Sequence, residues 1–409
     1  MVLSFHRTNS ARVFIADKPK APFACFVWCR GLALIAWRLE HNHKNLGEQC
    51  MCTLARLLTV LAFILYWTSA LAGNDALPCV AGQGYLPVCG LEPAEDLELT
   101  PDGRYLLMSV SPGLAGQHQS RLRLFNVASQ MAEDLPLSIE AQSGWGDADC
   151  AAPEGAIGAH GIHLSTRAGG RQQLLVVNHV GREAVEFIEL KPAGDSWVGI
   201  WRGCVQQSGA GRFNDVAAIP QGGFVATVMF ESTSMAPPLP LDQLLDGRDT
   251  GYLMRWVPGQ TLRKVVGSEA PFPNGVQVSN DGRYAWFAAW SAMEIRQFDL
   301  HQQRLLTRVP VGYLVDNLSR SAEGHLLGAG IIDAKVFSHC FSNHLEHCPS
   351  GFKVSVLNTD TLEQQVLFEG GVKVLAGASV AVEVGDEVYV GAYTGDRLLR
   401  LVGGRLDKR

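Results

Sequence analysis

The sequence predicts an all-β protein, a six-bladed β-propeller. Three observations carry that expectation. Helix-period stretches are hard to find after residue 73; short apolar runs bounded by turn residues recur instead; and polar heads precede those runs. The recurring unit starts at Glu95 (EDLELTPDGRYLLMSVS), His160 (HGIHLSTRAGGRQQLLVVNH) and Asn214 (NDVAAIPQGGFVATVMF). It starts again at Asn274 (NGVQVSNDGRYAWFAAW), Asp316 (DNLSRSAEGHLLGAG) and Ser379 (SVAVEVGDEVYVGAY). In each, an apolar strand leads into a Gly-containing turn, and a second apolar strand returns. Starts lie 65, 54, 60, 42 and 63 residues apart, which suits one four-stranded sheet per unit. A pair of β-sandwiches gives no reason for polar heads to recur.

Composition closes several functional classes. At 47% hydrophobic the chain is too apolar for a disordered protein, and a formal charge of −6 gives no general affinity for nucleic acid. No GxGxxG, Walker A, GxSxG or HExxH pattern occurs, so the short-motif routes to dehydrogenase, nucleotide hydrolase, serine hydrolase and zincin are shut.

Residues 53–72 read TLARLLTVLAFILYWTSALA, followed by Gly73. Arg56 supplies a positive flank, Leu57 to Trp67 an apolar run, and Ala70-Leu71-Ala72 a small-residue cleavage pattern. The run is short for a membrane span. The sequence therefore predicts a signal peptide over 51–72 starting at Met51, a non-native extension over 1–50, and a propeller over 73–409. Membrane association through this segment, with the apolar patch Phe23 to Trp37, follows only if it is retained as an anchor. Cleavage after Ala72 removes eight Lys/Arg and three Asp/Glu, leaving 26 and 37, a net charge of −11.

Cys25, Cys29, Cys50 and Cys52 leave with that segment. Cys79, Cys89, Cys150, Cys204, Cys340 and Cys348 stay, and an even count in an exported chain favours disulfides. Short loops favour Cys79–Cys89 and Cys340–Cys348. His339, His344 and His347 flank the last pair, but their irregular spacing makes zinc the weaker reading. A secreted or periplasmic location is expected.

In a propeller the innermost strand of each blade lines the channel, so head residues converge there. The heads are Glu95-Asp96, His160, Asn214-Asp215, Asn274 and Asp316-Asn317. Carboxylates and amides are the hard oxygen donors that Ca²⁺ takes; thiolates are absent and one imidazole is present, which argues against zinc or copper. Neighbouring residues of a strand point in different directions, so a pair such as Glu95-Asp96 can serve two ions. One division gives Glu95, Asn214, Asn274, Asp316 and Asn317 to a first ion, and Asp96 with Asp215 to a second. Each set carries two negative charges. Taken singly, a head such as Pro273-Asn274-Gly275 reads as a turn.

The motifs Glu95-Asp96-Leu97, His160-Gly161-Ile162, LLVVNH ending at His179, FNDV (213–216), PNGV (273–276), LVDN (314–317) and GASVA (377–381) come in one order. In that order and spacing they resemble the paraoxonase family of calcium-dependent six-bladed propeller hydrolases. The wider gluconolactonase-like propellers share the Glu, Asn and PNGV elements but lack the paired HGI and VVNH segments. The resemblance implies a catalytic Ca²⁺ on Glu95, Asn214, Asn274, Asp316 and Asn317, and a structural Ca²⁺ on Asp96, Asp215 and the backbone carbonyl of Ile162. It implies His160 as general base with His179 behind it, and Phe272, Ala392 and Tyr393 as pocket walls. The chain departs from the family where TVMFES (227–232) and GAGIID (328–333) replace acidic and His residues. The family's long disulfide also has no C-terminal cysteine here, so Cys79 or Cys89 takes another partner.

The resemblance thus implies a lactonase with arylesterase activity on a small lactone or ester, Ca²⁺ stabilising the oxyanion and the histidines activating water. A sugar-type lactonase and a non-catalytic, calcium-stabilised binding propeller are the alternatives.

Overall fold

The computed structural model describes residues 77–114, 116–220, 222–233 and 237–403. The expected extension and signal peptide, with Met51, Gly73 and the first four cysteines, lie outside them. Among the described residues no helix is long and apolar enough to cross a membrane.

Six sheets follow one another along the chain, as the six heads require. Blade 1 is β2 (Ala94–Leu99), β3 (Tyr105–Val110), β4 (Arg121–Asn126) and β5 (Met131–Asp134). Blade 2 is β7 (Ala159–Thr166), β8 (Gln172–Asn178), β9 (Ala184–Ala193) and β10 (Ser196–Gln206), with β6 (Leu137–Ile139) added parallel to β10. Blade 3 runs from β11 (Gly211–Ala218) through β12 (Phe224–Glu231) and β13 (Tyr252–Trp256) to β14 (Arg263–Lys264). Blade 4 is β15 (Pro273–Val278), β16 (Tyr284–Ala289), β17 (Glu294–Asp299) and β18 (Arg304–Pro310). Blade 5 is β19 (Leu314–Arg320), β20 (Leu326–Ile331), β21 (Phe352–Leu357) and β22 (Gln364–Gly370).

Blade 6 is completed by both ends of the described chain. β23 (Ala378–Val384), β24 (Glu387–Ala392) and β25 (Arg397–Leu401) are joined at the outer edge by β1 (Tyr85–Cys89), which pairs antiparallel with β25. The buried Arg397 ties this seam further, donating from Nη1 to the Pro78 carbonyl at 2.8 Å and from Nη2 to that of Leu77 at 2.6 Å. Closure is therefore made by hydrogen bonds, and Cys79 bonds to Cys89 within the same segment. Cys340–Cys348 forms as its short loop suggests, and Cys150 pairs with Cys204 across 54 residues. Three disulfides are consistent with an exported chain.

The core is divided among the junctions between blades rather than gathered at one centre. Leu107 and Leu124 of blade 1 meet Leu174, Ile188 and Trp201 of blade 2. Val177 and Phe187 of blade 2 meet Phe213, Val228 and Trp256 of blade 3. Similar clusters join blades 3 to 4, 4 to 5, 5 to 6, and finally 6 to 1, where Val380 and Tyr389 pack on Leu97 and Phe125. Apolar burial thus fixes each inner strand beside its neighbours around the channel.

Candidate functional site: the channel end that carries the polar heads

Every inner strand breaks register at its head. The pairing shifts between Ala94 and Asp96, Ala159 and Ile162, Phe213 and Val216, Pro273 and Val276, Val315 and Leu318, and Ala378 and Val380. A bulge leaves residues out of the ladder and re-aims their side chains. Here the residues left out are the heads themselves: Glu95, His160, Asn214-Asp215, Asn274, Asp316-Asn317 and, in blade 6, Ser379. Glycines beside two heads let the blades touch. A Cβ on Gly161 would fall 2.5 Å from the Asp215 Cα, and one on Gly275 would fall 2.6 Å from the Asn317 Cα.

Four of the five donors expected for the first ion, Glu95, Asn274, Asp316 and Asn317, are linked to one another, and Asn214 is buried at the bulge of blade 3. Asn317 donates from Nδ2 to Glu95 Oε1 at 2.8 Å and to the Glu95 carbonyl at 3.0 Å, which fixes its amide with the oxygen turned elsewhere. The Asn274 side chain hydrogen-bonds Asp316. Glu95, Asn214, Asn274, Asp316 and Asn317 are all buried, and the Oδ1 atoms of the three asparagines have no hydrogen-bond partner. An unsatisfied buried acceptor costs about 1–3 kcal/mol. Burial, then the Glu95 carboxylate, pushes the Asp316 pKa well above the usual range. Among the described residues no three His, Cys, Asp or Glu side chains converge on a metal. The set is instead two carboxylates and three amides, hard oxygens whose two charges match a divalent ion.

Asp96 and Asp215 sit in the neighbouring position and do two things. Asp96 accepts the Leu97 N–H on Oδ1 and the Ile162 N–H on Oδ2; Asp215 accepts those of Val216 and Val276. Each carboxylate thereby staples its blade to the next. Burial, followed by Asp215 and then Glu95, raises the Asp96 pKa well above the usual range; burial also leads the rise at Asp215. At Ile162 the group that meets Asp96 is the N–H.

The two expected histidines are in contact. His160 Nδ1 lies 2.8 Å from His179 Nε2, and His160 Nε2 lies 3.4 Å from Glu95 Oε1. The line continues to a residue that the sequence reading passed over: His179 Nδ1 is 3.0 Å from Glu183 Oε2. Glu183 also accepts from Arg212 Nη1 at 3.0 Å and from the Phe213 N–H at 2.6 Å. Burial holds the His179 pKa below its ordinary value despite Glu183. Burial also disfavours a charged His160, but Glu95 leads a set of carboxylates that outweighs it, and that pKa rises. Two hydroxyls were missed as well. Ser109 Oγ accepts the Asp96 N–H at 3.0 Å, and Ser379 Oγ donates to the Glu95 carbonyl at 2.7 Å.

An aromatic wall adjoins this end. Phe230 packs on Phe272, Phe272 on Trp290, Trp290 on Phe337 of helix α1 (Ala334–Ser342), and Phe337 on Tyr393, with ring centroids 4.9–6.0 Å apart. Phe272 is held at φ 47°, a strained conformation for a bulky residue, immediately before Pro273-Asn274. Tyr393 buries an unpartnered hydroxyl, and burial followed by the charge of Asp316 raises its pKa. Of the three residues expected as pocket walls, Phe272 and Tyr393 belong to this chain of rings and Ala392 is buried in the core joining blades 5 and 6. A cavity of about 860 Å³ opens among the opposite ends of the inner strands, beside Glu98, His163, Gln277 and Arg320. It lies away from the heads.

Residues 151–336, which hold four of the six heads, match the family described as the SMP-30/Gluconolactonase/LRE-like region. The match likens the middle of the chain to the gluconolactonase-like propellers. Human serum paraoxonase/arylesterase 1 is 26% identical over 327 residues, covering 75% of this chain and 86% of that protein. Similar solved structures include a luciferin-regenerating enzyme (13% identity, TM-score 0.47, 78% of this chain and 94% of that one). Another is regucalcin, a calcium-binding protein from Agrobacterium tumefaciens (13% identity, TM-score 0.46, 79% and 93%).

Proposed function

We propose that the protein is an exported, calcium-dependent lactonase with arylesterase side activity, of the paraoxonase kind. The observation that carries this reading is the His160–His179 pair hydrogen-bonded beside Glu95, on strands whose heads bury three amide oxygens without partners. The partial identity to a protein named paraoxonase/arylesterase supports it. Glu95, Asn214, Asn274, Asp316 and Asn317 would hold one ion, and Asp96 and Asp215, with the backbone at Ile162, a second.

Calcium in the first position supplies a Lewis acid for a lactone or ester carbonyl and for the charge that develops on its oxygen. The rest falls to the chain. His160 Nε2 takes a proton from water as the water attacks, and His179 Nε2, accepting from His160 Nδ1, steadies the imidazolium. The proton passes on to the leaving alkoxide. Phe272, Trp290, Phe337 and Tyr393 offer apolar surface, which favours an aliphatic or aryl substrate over a sugar lactone.

The test is a panel of aliphatic lactones, aryl esters and a sugar lactone, assayed on protein starting at Gly73 with and without chelator. Hydrolysis of aliphatic lactones that chelator abolishes and Ca²⁺ restores is expected. Preference for the sugar lactone would move the reading to the gluconolactonase type. No calcium-dependent turnover of any substrate would leave a binding propeller.

A further inference from the structure

We infer that Glu183 is a positioning residue that sets the direction of the hydrogen-bond line Glu183–His179–His160. This inference rests on the reading of His160 as the base. Glu183 is buried, and its Oε1 accepts the Phe213 N–H at 2.6 Å while Oε2 faces Arg212 Nη1 and His179 Nδ1, each at 3.0 Å. The Phe213 N–H and the charged Arg212 guanidinium keep this carboxylate ionised, so it acts only as an acceptor.

Direction follows from that. His179 carries its proton on Nδ1, pointing at Glu183, so its Nε2 has a lone pair. That lone pair, 2.8 Å from His160 Nδ1, places the His160 proton on Nδ1. With the Nδ1 proton so engaged, Nε2, 3.4 Å from Glu95 Oε1, is the ring nitrogen that faces the channel end, the atom a general base uses. With the acceptor at Glu183 replaced by a group that can also donate, the whole line can reverse. His179 would then donate from Nε2, and His160 would carry its proton on Nε2, where it blocks the attack of water.

The experiment has two readouts. Histidine-selective ¹⁵N labelling with long-range ¹⁵N–¹H correlation reads which ring nitrogen carries the proton, and needs no enzymatic activity. Wild-type protein is expected to show His179 and His160 both protonated on Nδ1. Glu183→Gln is expected to show Nε2-protonated rings, and a fall in kcat of roughly 10²–10⁴-fold with KM little changed. Glu183→Asp, which keeps an acceptor, is expected to restore the tautomers and part of kcat. His179 protonated on Nε2 in the wild-type protein would overturn the inference, whether or not Glu183→Gln folds. So would Glu183→Gln with wild-type tautomers and full kcat. A wild-type protein that hydrolyses nothing but shows the expected tautomers would remove the base and leave the ordering role of Glu183 in place.

Discussion

Asp96 on blade 1 holds Ile162 on blade 2: its Oδ2 accepts the Ile162 N–H at 2.7 Å while Oδ1 accepts that of Leu97 at 2.8 Å. Asp215 repeats the arrangement between blades 3 and 4, taking the Val276 N–H at 2.6 Å. The same carboxylates that would hold an ion therefore also set the spacing of the blades around it. In calcium-saturated protein, Asp96→Ala leaves two buried N–H groups without acceptors and is expected to cost about 2–4 kcal/mol. Urea unfolding in excess Ca²⁺ measures it, and an unchanged midpoint would separate Asp96 from the blade junction.

Gly161 is expected to tolerate no side chain. A methyl there meets the Asp215 Cα at 2.5 Å, backbone against backbone, so blades 2 and 3 must move apart. Gly161→Ala is expected to lose about 3 kcal/mol or more, whereas Gly155→Ala, with open space around it, is expected to melt like wild type. Equal melting temperatures for the two variants would contradict the close approach.

Closure by hydrogen bonds gives a different expectation. Arg397→Ala removes the donors to Leu77 and Pro78 and should loosen the segment that leads into β1. Limited proteolysis is expected to cut near residues 77–85 faster in the variant, while the β1–β25 ladder keeps the rest of the blade protected. Identical digestion patterns would show that Arg397 adds nothing to the seam.

The contribution of His179 to the pH dependence of stability has a definite sign. The folded His179 pKa lies below its ordinary value, so the unfolded chain binds the proton more readily and stability falls as pH drops below about 6.5. Glu183 acts in the same direction at lower pH. Burial works against its charge, but His179, the Phe213 N–H and Arg212 hold its pKa down, and that stabilisation is lost as pH falls through the folded value. His160, Asp96, Asp215 and Asp316, whose folded pKa values are raised, act with the opposite sign, so the His179 part is read as a difference: the stability advantage of wild type over His179→Gln should shrink as pH falls through about 6.5. An advantage that grows on acidification through 6.5 would contradict the neutral, buried His179.

The sequence made the ring of blades legible because the repeat is written in residue types: polar head, apolar strand, Gly turn, apolar strand. Asn214, Asn274, Asp316 and Asn317 could be found by their register in that repeat. The bulge at each head could not, because it is a property of pairing between strands. Glu183 was hidden for a related reason. HVGRE reads as an ordinary hairpin turn, and only the β8–β9 connection returns Glu183 beside His179. Ser109 and Ser379 were missed because they touch the site through backbone groups of Asp96 and Glu95, which side-chain chemistry does not reveal. The seam between β1 and β25 joins residues more than 300 positions apart, and neither strand carries a mark of its partner.

The Asn-rich set on the strands around His160 is proposed to hold a calcium ion on which hydrolysis depends. The most direct test is the rate on an aliphatic lactone as free Ca²⁺ is titrated into chelator-treated protein, for wild type and Asn274→Ala. Saturable activation in wild type, with activation lost or shifted to at least tenfold higher Ca²⁺ in Asn274→Ala, is the expected result. A lactonase rate independent of Ca²⁺, or an identical titration curve for Asn274→Ala, would contradict it.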